Sequence, residues 1–204
     1  MATSFGGTGK PSSRLGIRFP LTLVLLGIAL ASLSTAQSSG PAQEESSSYE
    51  YDVKAVFLYH LTRYLQWPGE AEPEVFTIVV LGESEIVSPL QEIAKKKTIG
   101  PTPIAVRQCH EIGQIGRPRI LFIAKSAVPI IDQVLEKTRG TDILTVSEVE
   151  GLGTRGVAVN FVERSGTIKF EMNEKMLKEA RIQASSQLLK LAILVDEEKV
   201  RGGR

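Results

Sequence analysis

Four short apolar runs alternate with helical patterns, and this alternation constrains the fold more than any other feature of the chain: "VFTIVVLG" at residues 75–82, "PIAVRQ" at 103–108, "RILFIA" at 119–124 and "ILTVS" at 143–147. Continuous apolar runs of this length read as strands buried on both faces. Residues 89–97 form a helical pattern with a lysine-rich end, and residues 128–137 form another, whose Pro129 suits a first turn and whose Gly140 suits the exit. Parallel neighbours need crossover connections, so this order predicts a three-layer α/β sandwich with a mainly parallel central sheet flanked by helices. The pattern then changes. "GVAVNFV" and "TIKFEM" flank "ERSG", whose Gly166 can take a positive φ, which predicts a C-terminal antiparallel hairpin. Helices are expected at 174–180 and 185–195, the second capped by Ser185 and Ser186 and packing through Leu188, Leu189, Leu191, Ala192 and Val195.

The first residues read as an export signal. Lys10, Arg14 and Arg18 precede an apolar run at 21–33, followed by the small residues Ser34-Thr35-Ala36. The run is shorter than the roughly twenty residues that span a bilayer. The expected organisation is a signal peptide at 1–36 cleaved after Ala36, a flexible leader at 37–49, one α/β domain at 50–196 and a charged, glycine-ended tail at 197–204. No cysteine lies near the cleavage box to carry a lipid, so no membrane anchor is expected after processing and the protein is expected in the periplasm.

"KAVFLYHLTRYLQWP", residues 54–68, is the most apolar stretch after the signal. Val53, Val56, Phe57, His60, Leu61, Tyr64 and Leu65 recur at three- and four-residue spacing, which predicts a helix burying that stripe, with Lys54, Arg63 and Gln66 off it. Serines 46–48 are expected to cap its start, and Pro68-Gly69 to stop it just after Trp67. Trp67 and Pro68, with the loop at 69–74, then form a candidate interaction corner, since Trp is enriched at interface centres.

Composition excludes several functions. Lys plus Arg number 24 against 23 for Asp plus Glu, so no global field draws nucleic acid. One cysteine and two histidines supply neither a disulfide nor the usual structural zinc set, and Cys109-His110 point to opposite faces of an extended segment. The expected strand ends carry Gly82-Glu83-Ser84, Lys125-Ser126 and Ser147-Glu148, with no aspartate cluster, no phosphate loop and no GxSxG elbow. "GLGTRG" at 151–156 sits between strands and reads as turn chemistry. Catalytic residues, metal and cofactor are therefore all expected to be none. Two other readings stand beside a binding function: a small-ligand binder using a crevice at Ser126, Ser147, Glu148 and Gly153, and a hydrolase or transferase pairing His60 or His110 with a serine.

Taken together, "KAVFLYHLTRYLQWP", "ILFI", "ILTVSE", "VNFVERSGTIKFEMN" and "SSQLLKLA" resemble the YfiR family of exported periplasmic proteins over about residues 54–195. The resemblance implies a non-enzymatic repressor that binds the periplasmic sensor region of an inner-membrane diguanylate cyclase, lowering cyclic di-GMP and biofilm formation. It also implies a homodimer and an outer-membrane lipoprotein that sequesters the repressor. This chain departs from the pattern at Glu148, where the family usually has aspartate, at Gly156-Val157, where it has a glycine pair, and at Pro118-Arg119, where a redox-responsive cysteine is typical. Gating by an internal disulfide therefore does not carry over, and only a Cys109 bridge between copies is left to that chemistry.

Overall fold

The computed structural model describes residues 41–69 and 73–196. The described residues belong to one compact unit. The expected signal peptide (1–36), the beginning of the leader (37–40), residues 70–72 of the candidate corner and the tail at 197–204 lie outside the described residues.

Helix α1, Pro41–Leu61, leads through a 3-10 turn at Thr62–Tyr64 into the short strand β1, Leu65–Gln66. There follow β2 (Phe76–Leu81), α2 (Val87–Lys96), β3 (Thr98–Ile99), β4 (Thr102–Cys109) and β5 (Ile120–Ile123). Next come a 3-10 segment at Lys125–Ile130, α3 (Ile131–Thr138), β6 (Leu144–Ser147), α4 (Leu152–Arg155), and the paired strands β7 (Val159–Arg164) and β8 (Thr167–Asn173). Helix α5 (Glu174–Glu179), β9 (Gln183–Ala184), α6 (Ser186–Leu191) and β10 (Ile193–Val195) complete the order.

The main sheet runs β10-β8-β7-β6-β5-β2-β4-β3. Strands β4, β2, β5, β6 and β7 are parallel, with Val79 opposite both Arg107 and Leu121, and Val146 opposite Val159. Strand β8 returns antiparallel, Phe161 facing Phe170, through the turn Ser165-Gly166. Both turn residues have positive φ, 53° and 71°, the geometry that matches the strand twist in a two-residue hairpin. A separate antiparallel pair joins β1 to β9.

Alternate residues along the central strands enter two cores, which is why those strands are apolar at nearly every position. Phe76, Ile78, Val80, Phe122 and Val146 pack under α1, α2, α5 and α6. Val79, Leu81, Leu121 and Ile123 pack with Ile131 and Val134 of α3 on the other face. The sheet with helices on both faces is the three-layer α/β sandwich expected.

Local expectations need four corrections. Helix α1 begins at Pro41, inside the stretch expected to be a mobile leader, so residues 46–48 are helical and do not cap it. It ends at Leu61 and not after Trp67, because Leu65 and Gln66 pair as a strand with Ala184 and Gln183. Its buried face is also rotated from the one expected: Tyr51, Lys54, Ala55, Leu58, Leu61 and Leu65 are buried, whereas Val56, Phe57 and Tyr64 are 46%, 36% and 41% exposed. The helix is apolar on two sides, and the three-to-four-residue period fits both. Finally, α6 stops at Leu191, itself exposed, because the chain turns extended at Ala192 and pairs with the free edge of β8, Ile193 opposite Glu171 and Val195 opposite Asn173.

Candidate functional site

Parallel strands align their carboxyl ends, and β6 ends on Ser147 with Glu148 immediately beyond it. Helix α1 crosses this edge and brings Lys54 to the carboxylate, with Nζ 2.5 Å from Glu148 Oε2. The Tyr51 hydroxyl donates to Glu148 Oε1 at 3.1 Å, and the Lys54 ammonium lies 4.9 Å from the Tyr51 ring centroid. Glu50, one turn back on α1, also pairs with Lys54. The Lys54 and Glu148 side chains are only 6% and 1% exposed, so protein groups stand in for water: Lys54 relies on Glu148 and Glu50, and Glu148 on Lys54 and the Tyr51 hydroxyl. Burial first, and the Glu148 carboxylate second, push the Tyr51 phenol well above its ordinary value.

The loop after Glu148 is tied down from beneath. Asn160 Nδ2 donates to Val149 O and to Glu171 Oε2, both at 3.0 Å, while Asn173 Nδ2 donates to Gly153 O at 3.0 Å. Asn173 Oδ1 also accepts from Met176 N and so caps α5. Within the loop "GLGTRG" forms the single helical turn α4, bracketed by Gly151 and Gly156 at φ 82° and 117°. Gly153 approaches so closely that a Cβ there would lie 2.6 Å from Glu171 Oε2.

Between α1 and this platform lies a cavity of about 280 Å³ lined by Lys54, Lys125, Glu148, Glu150, Phe161 and Arg164 among others. Arg164 reaches Glu150 at 3.7 Å and Glu171 at 3.6 Å. Cations and carboxylates thus meet over an aromatic wall, an arrangement able to hold a small charged or zwitterionic group.

Of the residues expected to form a crevice, Glu148 lines this cavity and Gly153 abuts Glu171 behind it. Ser147 is fully buried, its hydroxyl donating to Ile123 O at 3.1 Å. Ser126, in the 3-10 segment after β5, faces the end of β2, where its Oγ accepts from the Glu83 N–H at 2.7 Å. Neither serine lines the 280 Å³ cavity. The sequence reading missed Tyr51, Lys54, Asn160, Arg164 and Glu171. Asn160 and Glu171 alone carried a readable signal, being polar residues in the hairpin strands at core-facing positions.

Trp67 is partly buried, its ring edge-on to Phe76 at 5.2 Å, and with Pro68 it borders a cavity of about 190 Å³ beside Leu65, Ile99 and Arg119. Among the described residues its indole N–H is buried without a hydrogen-bond partner, as is Asn160 Oδ1. His60 is exposed and its ring lies tilted against Tyr59, contrary to the core position expected for it. His110 is exposed, 3.5 Å from Glu83. Cys109 is 3% exposed, and burial pushes its thiol up, so a bridge between copies lacks the accessible thiolate it needs. Among the described residues no group of three or more His, Cys, Asp or Glu could hold a metal ion, and no helix is long and apolar enough to cross a membrane.

A family model described as YfiR/HmsC-like matches residues 51–193. No curated protein matches the chain. Among solved structures, the chain is similar to an ABC domain in complex with L-Trp from Streptococcus pneumonia, with 13% identity and a TM-score of 0.45, covering 60% of this chain and 56% of that one.

Proposed function

The chain belongs to the YfiR/HmsC-like family, a family of periplasmic regulatory proteins, and we propose on that premise that it is a non-enzymatic repressor of an inner-membrane diguanylate cyclase. It binds the cyclase's periplasmic sensor region, lowers cyclic di-GMP and so restrains biofilm formation. The protein is exported by the signal at 1–36, works as a homodimer and is released from its target when an outer-membrane lipoprotein sequesters it. The observation that carries the reading is the family match, which runs from the middle of α1 to β10 and so takes in the sheet and both helical layers. The polar groups at the strand ends agree with a binding role. Ser147, Glu148, Asn160 and Asn173 each hold another part of the protein in place, which makes a rigid scaffold for a surface. The Trp67-Pro68 corner is proposed to contribute to that surface.

The test is deletion of the gene followed by measurement of cyclic di-GMP, together with binding of the purified protein to the periplasmic region of the membrane cyclase encoded beside it. A rise in cyclic di-GMP and a saturable complex are expected. Unchanged cyclic di-GMP and no complex would overturn the repressor reading. The mixed-charge cavity between α1 and the β7–β8 hairpin favours a second reading, a small-ligand binding protein. Thermal shift against nucleotides, amino acids and peptidoglycan fragments tests it, and a flat response to all three would remove it.

A further inference from the structure

The strand-end cavity continues into a second one. A groove of about 390 Å³ runs between α1 and the β7–β8 hairpin, and the two cavities share Glu50, Glu163 and Ile168 in their walls. Together they make one trough with unlike ends. At the outer end Tyr49, Val53 and Phe57 of α1 lie across from Thr167 and Ile168 of the hairpin. Tyr49 is 72% exposed and Phe57 36%, so this end is apolar surface left in water.

At the inner end some charges are spent and others are not. Lys54 is held by Glu148 and Glu50, so these three form a floor and take no further charge. Lys125 and Glu163 are exposed, and their side chains make no hydrogen bond or ion pair among the described residues. Arg164 and Glu150 stand beside them, 3.7 Å apart, with side chains 45% and 86% exposed, a contact loose enough to open for a ligand. Unspent charges of both signs on one cavity select a ligand that carries both. A plain anion would face the lone carboxylate of Glu163, and a plain cation the lone ammonium of Lys125. The outer groove adds a second requirement, an apolar chain joined to that head.

We propose that the trough binds a single-chain zwitterionic amphiphile. Its anionic group is held by Lys125 and Arg164, its ammonium by Glu163 and Glu150, and its hydrocarbon chain lies between α1 and the hairpin against Val53, Phe57 and Ile168. Ion pairs at exposed side chains add little each, so the chain supplies most of the affinity and the head the selectivity. A primary ammonium donates hydrogen bonds to the two carboxylates, which a trimethylated one cannot. The source is a free amphiphile and not a bilayer surface, because the balanced charges of the rim give no attraction to anionic lipid.

The proposal rests on the second reading above, a small-ligand binding protein, and names the ligand class. The experiment is isothermal titration calorimetry of the exported protein with lysophosphatidylethanolamine below its micelle concentration. One site with a Kd of about 10 μM or tighter is expected. Shortening the chain is expected to weaken binding about two- to fourfold for each methylene removed. Lysophosphatidylcholine is expected to bind several-fold more weakly. Lys125→Glu is expected to weaken binding about tenfold or more, and Glu163→Gln to erase the preference for ethanolamine over choline, with circular dichroism unchanged in both. Vesicles of phosphatidylethanolamine and phosphatidylcholine are expected not to sediment the protein. No heat with any chain length overturns the proposal, and a response to the water-soluble ligands tested above would then leave the small-ligand reading standing. Binding that neither Lys125→Glu nor Glu163→Gln alters also overturns it, as adsorption of a detergent would behave that way. Sedimentation with vesicles and no response to the free lysolipid overturns the single-chain ligand in favour of a membrane surface.

Discussion

Lys54 and Glu148 meet at 2.5 Å across 94 residues of sequence, pinning the middle of α1 to the loop that leaves β6. Both side chains are buried, so neither charge can fall back on water when its partner is removed. Lys54→Ala and Glu148→Ala are each expected to cost about 3–5 kcal/mol in urea unfolding. Lys54→Met combined with Glu148→Leu is expected to recover most of that loss, because the pair's worth is largely offset by its own desolvation. Single losses below about 1 kcal/mol would show that the pair is solvated in solution.

Tyr51 gives the same cluster a pH dependence. Burial and the Glu148 charge raise its folded pKa above the ordinary value of 10.0, so the folded state holds the phenolic proton more tightly than the unfolded state does. That contribution is fully present below about pH 10 and is lost as the pH climbs toward the folded pKa. Stability is therefore expected to fall between about pH 10 and 12, and Tyr51→Phe to fall less steeply over the same window. Identical alkaline slopes for the two proteins would remove Tyr51 as the cause.

The two faces of α1 separate by stability. Leu58 is fully buried in the core, and Leu58→Ala is expected to cost about 2–5 kcal/mol. Phe57 keeps edge contacts with Phe161 and Phe170 at 6.5 and 6.4 Å but is 36% exposed, so Phe57→Ala is expected to cost only about 1–2 kcal/mol, measured below the dimer concentration. A larger loss at Phe57 than at Leu58 would reverse the assignment of faces.

What could be read in the sequence follows from how far each signal reaches. The central strands announce themselves locally, because a strand buried on both faces is apolar at every position whatever packs on it; hence β2, β5 and β6 fall where "VFTIVVLG", "RILFIA" and "ILTVS" place them. The Ser165-Gly166 turn is local in the same way. The face of α1 is not. Its choice turns on whether Lys54 has a buried carboxylate waiting 94 residues away, which no helical period records. The end of α6 likewise depends on the free edge of β8, to which the β-branched Ile193 and Val195 add a strand. The site residues missed were those defined by such distant partners.

Gly153 tests how tightly the loop after β6 is held. A methyl group added there would meet Glu171 Oε2 at 2.6 Å, and that carboxylate is itself fixed by Asn160. Gly153→Ala is expected to cost about 1–3 kcal/mol, as overpacking does, although Gly153 does not need a positive φ. Thermal unfolding measures it; a gain in stability would show that Glu171 moves aside freely.

The Trp67 corner carries the last prediction. Trp67 is held edge-on against Phe76, yet its indole N–H is buried without an acceptor among the described residues, and Pro68 beside it is only partly buried. An unsatisfied donor costs free energy in the isolated protein, so a partner that offers an acceptor there would recover it. Loss of the Phe76 contact means Trp67→Ala is expected to lower stability by about 2–3 kcal/mol while leaving a folded protein by circular dichroism. Its binding to the periplasmic region of the neighbouring cyclase is expected to weaken at least about tenfold, as truncating an aromatic at the centre of an interface does. Trp67→Phe keeps the packing on Phe76 and removes only the donor, so weaker binding by this variant assigns the loss to the hydrogen bond. Binding unchanged in both variants would remove the corner from the interface and return Trp67 to the core.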